Sequence, residues 1–364
     1  MSKLRFGLIG TGGIAQTYSQ AFVASECCSL VAVADLRKES ADAFAEPFGA
    51  LSFGDYKELA EKAEIDAVII ATPPVSHPEI AEYFMERGVH VLCEKPLCLT
   101  IADAERMIAT ADRCGTVFTM ASKFRYVEDV IKAKSLVASG ILGDIVQFDN
   151  SFTTKVDMSK RWNADKSISG GGVLMDNGTH SVDIIRYFLG PVTEVLAVES
   201  GGTQGLSVDE NVRLMAKTEN GIVATVDLTW GISKELPYFI SIYGTNGTIH
   251  IGWRESKYRL NSSPDWIVFG NGYDKVQAFR SKIENFRNAI KEKEELLIDQ
   301  DAALASVKVI DAAYRSLSAN HWQSVTEKSG AVGSGGKSKV AGWVTVLSAV
   351  TANDSIQSLA AIVI

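Results

Sequence analysis

GLIGTGGIAQTYSQAF, residues 7–22, sets Gly10, Gly12 and Ala15 in a G-x-G-x-x-A pattern where a short apolar run gives way to a helix-like stretch. Each small residue has a physical role. The first permits a tight turn, the second lets a pyrophosphate approach the backbone, and the third lets helix and strand pack closely, while the helix N-terminus holds the anion. Thr11, Gly13 and Ile14 fill the rest of that turn and belong to the same cradle. About twenty residues on, the run LVAVAD ends in Asp35, placed to accept the adenosine ribose hydroxyls of a dinucleotide. A carboxylate there repels a 2′-phosphate, so the spacing predicts NAD rather than NADP; Arg37, two residues later, softens that choice.

Outward from this turn, RFGLIG, LVAVAD, DAVIIAT, VHVLCE and TVFTMA alternate with helix-like stretches. That alternation predicts βαβ units and a parallel sheet. Two of the runs deliver chemistry to the carboxyl edge of such a sheet, where open α/β folds bind ligands. ATPPVSHPEIAEYF brings Thr72 and Pro73 there, with His77 at the next helix start as a further cofactor contact. VHVLCEKPLCLT brings Glu94 and Lys95, and Pro96 fixes the local backbone. Lys95 supplies a positive charge or hydrogen-bond donor beside a reacting hydroxyl.

Near residue 145 the pattern changes. IVQFDNSFTT, TEVLAVES, NVRLMAKTEN, IVATVDLTW, YFISIYG and TIHIGW read as strands joined by turns such as ENG and TNG, which predicts a largely antiparallel sheet. Helices are expected near 277–291 and 300–318. The fold class is therefore α/β followed by α+β, with a doubly wound parallel sheet in residues 1–122 and a substrate-binding and oligomerisation domain in 123–326. Residues 327–364 read as a glycine-serine linker and an apolar tail. Within them, AVGSGGKS resembles a phosphate-binding loop but has Ala in place of its first Gly and no strand before it.

GGGVLMDNGTHSVDIIRYFLGP, residues 170–191, reads as a helix between three glycines and a Gly-Pro stop. Asp176 and His180 lie four apart on one face of it, away from Val173, Leu174, Val182, Ile185 and Leu189.

The 364 residues carry a formal net charge of -8, with 46% hydrophobic and 22% charged residues. No basic stripe exists to bind nucleic acid. Neither apolar run of the tail reaches the roughly 18 to 20 residues of a membrane span. The N-terminus enters a strand without the pattern of a signal peptide, which predicts a cytoplasmic protein. Cys27, Cys28, Cys93, Cys98 and Cys114 are odd in number and lack a C-x-x-C spacing, so free thiols are expected and no metal site.

The ordered set GLIGTGGIA, Asp35, ATPPVSH, CEKPL and GGGVLMDNGTHSVDIIRYFLG resembles the Gfo/Idh/MocA family, named for glucose-fructose oxidoreductase and inositol dehydrogenase, over about residues 4–320. The resemblance implies a Rossmann domain followed by an open-faced sheet used to form dimers or tetramers. It also implies hydride transfer between a nicotinamide cofactor and a sugar, nucleotide sugar or cyclitol. Family roles fall on Lys95, Asp176 and His180, and Arg125 of KFRY occupies a family position near the substrate. The family's Trp-Arg pair ahead of the glycines appears as Trp162 and Asn163, with Arg161 on the other side. His180 is expected to exchange the hydroxyl proton, Lys95 to stabilise alkoxide charge, and Asp176 to bind a neighbouring hydroxyl or orient the imidazole. Two other readings stay open: an NAD-dependent glycosidase of the same fold, and a non-catalytic nucleotide-binding module. Substrate identity rests on loops 153–169 and 232–238.

Overall fold

The computed structural model describes residues 3–325; the expected linker and tail, with the AVGSGGKS stretch, lie outside the described residues. Six strands form the first sheet: β1 (Leu4–Ile9), β2 (Cys28–Ala34), β3 (Leu51–Phe53), β4 (Ala67–Ile70), β5 (His90–Glu94) and β6 (Phe118–Ala121). All are parallel, in the order β3-β2-β1-β4-β5-β6. Such a sheet is covered on both faces, and β4 and β6 are buried along their whole length. That is why these segments read as unbroken apolar runs. Between β1 and β4 the strand order reverses, which opens a crevice at the carboxyl ends of the strands.

The helices of this half are α1 (Ala15–Ala24), α2 (Lys38–Ala45), α3 (Tyr56–Lys62), α4 (His77–Met85) and α5 (Ile101–Cys114). α5 shows how the sequence sets its own limits. Thr100 caps it by accepting from the Asp103 N–H, and Gly115 ends it with a φ of 64°.

The second sheet has nine strands: β7 (Ile145–Thr153), β8 (Val192–Glu199), β9 (Asn211–Thr218), β10 (Val223–Thr229), β11 (Tyr238–Gly244), β12 (Gly247–Gly252), β13 (Ser256–Leu260), β14 (Ile267–Gly270) and β15 (Gln323–Ser324). Their order is β14-β13-β12-β11-β7-β10-β9-β8-β15, antiparallel throughout except where β7 pairs with β10. Along β9, Val212, Leu214 and Ala216 are buried while Arg213, Met215 and Lys217 are exposed. This alternation turns one face of the sheet to the core and leaves the other open.

The remaining helices are α6 (Glu128–Ala138), α7 (Lys166–Ser169), α8 (Thr179–Leu189), α9 (Lys275–Ile290) and α10 (Gln300–Ala319). α9 returns to the first half of the chain. Its Phe279, Ile283 and Phe286 join the same core as Phe6, Tyr18 and Phe22, with the Tyr18 and Phe279 rings edge-to-face at 4.8 Å. Asp274 caps α9 and Asp299 caps α10, each accepting a first-turn N–H.

Candidate active site

β1 ends in the glycine turn. Gly10 has a φ of +92°, and a Cβ there would come within 2.9 Å of the Ala71 carbonyl oxygen, so only glycine fits. Gly12 and Gly13 differ: a Cβ on either would meet nothing within 4 Å, which leaves open space before the N-terminus of α1. No side chain caps that terminus and its first turn carries no acid. A helix N-terminus without an acid or a side-chain cap, facing an open space, fits a dinucleotide pyrophosphate. Ala15 is fully buried, as close helix–strand packing requires. Thr72 and Pro73 flank the turn from the end of β4, the Thr72 methyl lying 3.1 Å from where a Gly10 Cβ would stand.

Asp35 ends β2 beside this loop. Its Oδ2 accepts from the Thr11 N–H and Oγ1, both at 2.8 Å, and its Oδ1 from the Arg37 N–H at 2.9 Å. Partial burial pushes the carboxyl pKa up, but these bonds and the Arg37 charge outweigh it and hold Asp35 below its ordinary value. A fixed negative charge therefore stands where a 2′-phosphate would lie. The Arg37 Nε is 3.7 Å from that carboxylate and its side chain is mostly exposed.

β5 delivers Glu94 and Lys95. Glu94 is buried and accepts from the Tyr18 hydroxyl at 2.7 Å and from Lys282 Nζ at 3.0 Å. Burial alone would raise its pKa; Lys282 and Tyr18 reverse that and keep the carboxylate ionised. Lys95 instead reaches Asp176, donating to both its Oδ1 and its backbone carbonyl.

The helix carrying Asp176 and His180 begins against the loop between β8 and β9. Asp209 on that loop accepts from the Gly172 N–H at 2.8 Å and the Leu174 N–H at 2.7 Å, and its own carbonyl accepts from the Val173 N–H. A Cβ on Gly172 would lie 1.9 Å from that carbonyl oxygen, which explains the glycine there. The backbone then winds through a π turn over Leu174–Gly178 before α8 starts at Thr179. The expected α-helix is thus wider at Asp176, a device common beside functional groups. Both Asp176 and His180 still line one cleft.

That cleft, about 370 Å³, brings together Ile14, Glu94, Lys95, Asp176 and His180, with Phe124, Phe152 and Trp253 as aromatic walls. His180 Nδ1 lies 3.3 Å from the Ser122 hydroxyl, which leaves Nε2 as the ring nitrogen for a ligand. The Phe124 ring meets the imidazole edge-on at 5.0 Å. Burial first, then the charges of Lys95, Lys123 and Lys282, hold His180 well below its ordinary pKa, so it is neutral at pH 7. Lys123 and Arg161 also line the cleft. Sequence reading passed over Lys123, although it lies two residues before Arg125 in KFRY, and set Arg161 aside in favour of Trp162 and Asn163.

Four of the expected contacts lie elsewhere. His77 is fully buried, with Nε2 2.8 Å from the Thr72 carbonyl and Nδ1 3.1 Å from those of Pro96 and Leu97. It pins the β4 loop to the Lys95–Pro96 turn and does not reach the cleft, because α4 starts with that ring turned inward. Arg125 pairs with the fully buried Asp183 at 2.6 Å and donates to the Leu297 carbonyl. Neither Asp183 nor Arg125 lines the cleft of His180, so Arg125 is a clamp between elements. Trp162 and Asn163 sit in one short turn, Trp162–Ala164, whose Trp is 41% exposed; neither lines the cleft. A larger cavity, about 570 Å³, lies on the neighbouring face of the same helix against Met175 and Thr179, and contains none of Lys95, Asp176 and His180.

Residues 4–122 match the model of an oxidoreductase family's NAD-binding Rossmann fold, and residues 130–250 match that family's GFO/IDH/MocA C-terminal domain. The chain is 30% identical to levoglucosan dehydrogenase of Pseudarthrobacter phenanthrenivorans over 68% of its own length and 73% of the relative's. It is 26% identical to inositol 2-dehydrogenase of Rhizobium meliloti over 86% of this chain and 97% of that one. Among solved structures, a levoglucosan dehydrogenase complexed with NADH and levoglucosan superposes with a TM-score of 0.82 at 25% identity, covering 89% of this chain and 100% of the other. The chain belongs to the Gfo/Idh/MocA family of NAD-binding oxidoreductases.

Proposed function

We propose that this oxidoreductase interconverts a secondary alcohol and a ketone of a sugar, nucleotide sugar or cyclitol, with residues 3–122 holding NAD and 123–325 holding the substrate. The observation that carries this reading is the meeting of Lys95, Asp176 and His180 in one cleft beside Ile14 of the glycine turn. The named activities of the relatives, on levoglucosan and inositol, support the polyol class. When bound, NAD supplies the hydride acceptor. The alcohol's proton must leave as its carbon is oxidised, and His180 Nε2 is the neutral base available to take it. Burial first, and then the three lysines, make that imidazole a weak base, so Lys95 carries much of the developing alkoxide charge. Asp176 fixes the Lys95 ammonium and offers its other oxygen to a neighbouring hydroxyl.

We also propose that the protein is a cytoplasmic homo-oligomer, dimer or tetramer. Five free thiols support a reducing compartment, and the open face of the nine-stranded sheet offers an interface. Among the described residues no helix is long and apolar enough to cross a membrane.

The test is turnover of a polyol panel with NAD. His180→Ala is expected to lower kcat by about 100- to 10,000-fold while NADH affinity changes little. A His180→Ala enzyme with near-normal kcat, or sugar release without NADH formation by the wild type, contradicts the reading.

A further inference from the structure

We infer that the substrate carries an anionic group, a carboxylate or a phosphate, held by Lys123 with Arg161 at the rim of the cleft. The inference rests on the proposed reading of the cleft as the place where a polyol is oxidised, and it names the chemical class of that polyol.

Each carboxylate of the cleft already has its own lysine: Glu94 has Lys282 at 3.0 Å, and Asp176 has Lys95. Lys123 has neither. Among the described residues its ammonium makes no ion pair or hydrogen bond, and its contacts are the faces of the Phe124 and Tyr273 rings, at 5.1 and 5.5 Å from their centroids. Arg161, exposed on the loop after β7, feels Asp157 only at longer range. With Lys123 protonated, the cleft therefore holds two cations more than its carboxylates neutralise. Enclosing an unpaired ammonium is costly, and the amine either gives up its proton or keeps it against an anionic partner. Neutral hydroxyls supply no opposing charge; an anion on the substrate does.

The groups facing Lys123 sharpen the point. Lys95 and Glu94 approach from β5, Lys275 and Lys282 from α9, Tyr273 from the segment before α9, and Asp176 and His180 from the helix of the second half. Burial first, then the positive charges of Lys95 and Lys275, push the Lys123 amine down to about 7. In the free cleft the ammonium form is therefore present below about pH 7 and lost above it, and a bound anion restores it. Affinity for an anionic substrate falls as pH rises through that range, with kcat less affected than kcat/KM.

The experiment pairs anionic polyols with neutral partners: glucuronate against glucose, glucose 6-phosphate against glucose, and gluconate against glucitol. Binding to the NADH-loaded enzyme is measured by cofactor fluorescence, and turnover by nicotinamide absorbance. At least one anionic member is expected to exceed its neutral partner by about 30-fold or more in kcat/KM, and which member does so separates carboxylate from phosphate. Lys123→Met should collapse that discrimination to within a few-fold, Lys123→Arg should retain most of it, and NADH affinity should stay within about threefold in both. Equal efficiency on neutral and anionic partners, an unchanged preference in Lys123→Met, or no charge-dependent binding across the panel overturns the inference. Lys123-dependent anion binding without nicotinamide chemistry would instead overturn the proposed reaction and leave the anion site standing.

Discussion

Glu94 and Lys95 are consecutive, yet they belong to two different environments. Successive side chains at the end of a strand point to opposite sides. Glu94 turns into the seam between β5 and α9, where Lys282 is completely buried and lies 3.8 Å from the centre of the Phe279 ring. Lys95 turns into the cleft, where its pair with Asp176 keeps 15% and 24% side-chain exposure. Both are lysine–carboxylate pairs, but only in the second are both partners open: Glu94 keeps 8% side-chain exposure at the cleft wall, whereas its Lys282 keeps none. The difference teaches that a charge pair in a cleft is a tool for chemistry only where its lysine remains open; with the lysine sealed behind the sheet, such a pair holds two halves of the chain together.

Breaking each pair in turn should separate the two roles. Lys282→Met leaves Glu94 buried without a counter-charge and should cost about 3–5 kcal/mol of stability in denaturant melts. Lys95→Met, at a part-open site, should cost no more than about 1 kcal/mol but lower kcat by about two to four orders of magnitude. Equal stability losses in the two variants would erase the distinction.

The buried histidines extend the contrast to pH. Burial holds His77 and His180 below their ordinary pKa, so the unfolded chain binds more protons than the native one once pH drops under about 6.5. Stability therefore rises with pH through that range and is lost on acidification, by up to about 1.4 kcal/mol per pH unit for each ring. The kinetic consequence differs between them. His180 is already deprotonated at neutral pH, so kcat for alcohol oxidation should be flat on its account above pH 6.5 and fall only at lower pH. A kcat limb centred near 7 that disappears in a His180 variant would show the imidazole to be less shielded than this.

Smaller effects are expected toward the edges of the site. Asp35→Ser should narrow the preference for NAD over NADP by about tenfold, measured as the ratio of kcat/KM values, because the anion facing the 2′-position is removed. Trp162→Ala should change kcat/KM by less than about threefold, since that ring stands outside the cleft. A tenfold loss there would mean that the 153–169 loop closes over the substrate.

What the sequence revealed and concealed follows from the reach of each interaction. The glycine turn, Asp35 and the Glu94-Lys95-Pro96 run are local devices at strand ends, and periodicity located them. β13, β14 and β15 were missed because two to five residues carry too little alternation to be read. Asp209 escaped because its partners lie 35 and 37 residues earlier, and no spacing rule joins a loop carboxylate to a glycine run. The same holds for Lys123, whose significance depends on which lysines already have partners. His77 and Arg125 misled because a histidine at a sheet edge and an arginine near a family position look alike whether they face a ligand or a buried carbonyl or carboxylate.

The most direct measurement is a crystal structure of the protein with NADH and a polyol bound. The account predicts the nicotinamide ring in the 370 Å³ cleft near Ile14, with the reacting oxygen within hydrogen-bond reach of Lys95 Nζ and His180 Nε2. A polyol seated instead in the 570 Å³ cavity against Met175 and Tyr314, with Lys95 and Asp176 still paired and untouched, would contradict it.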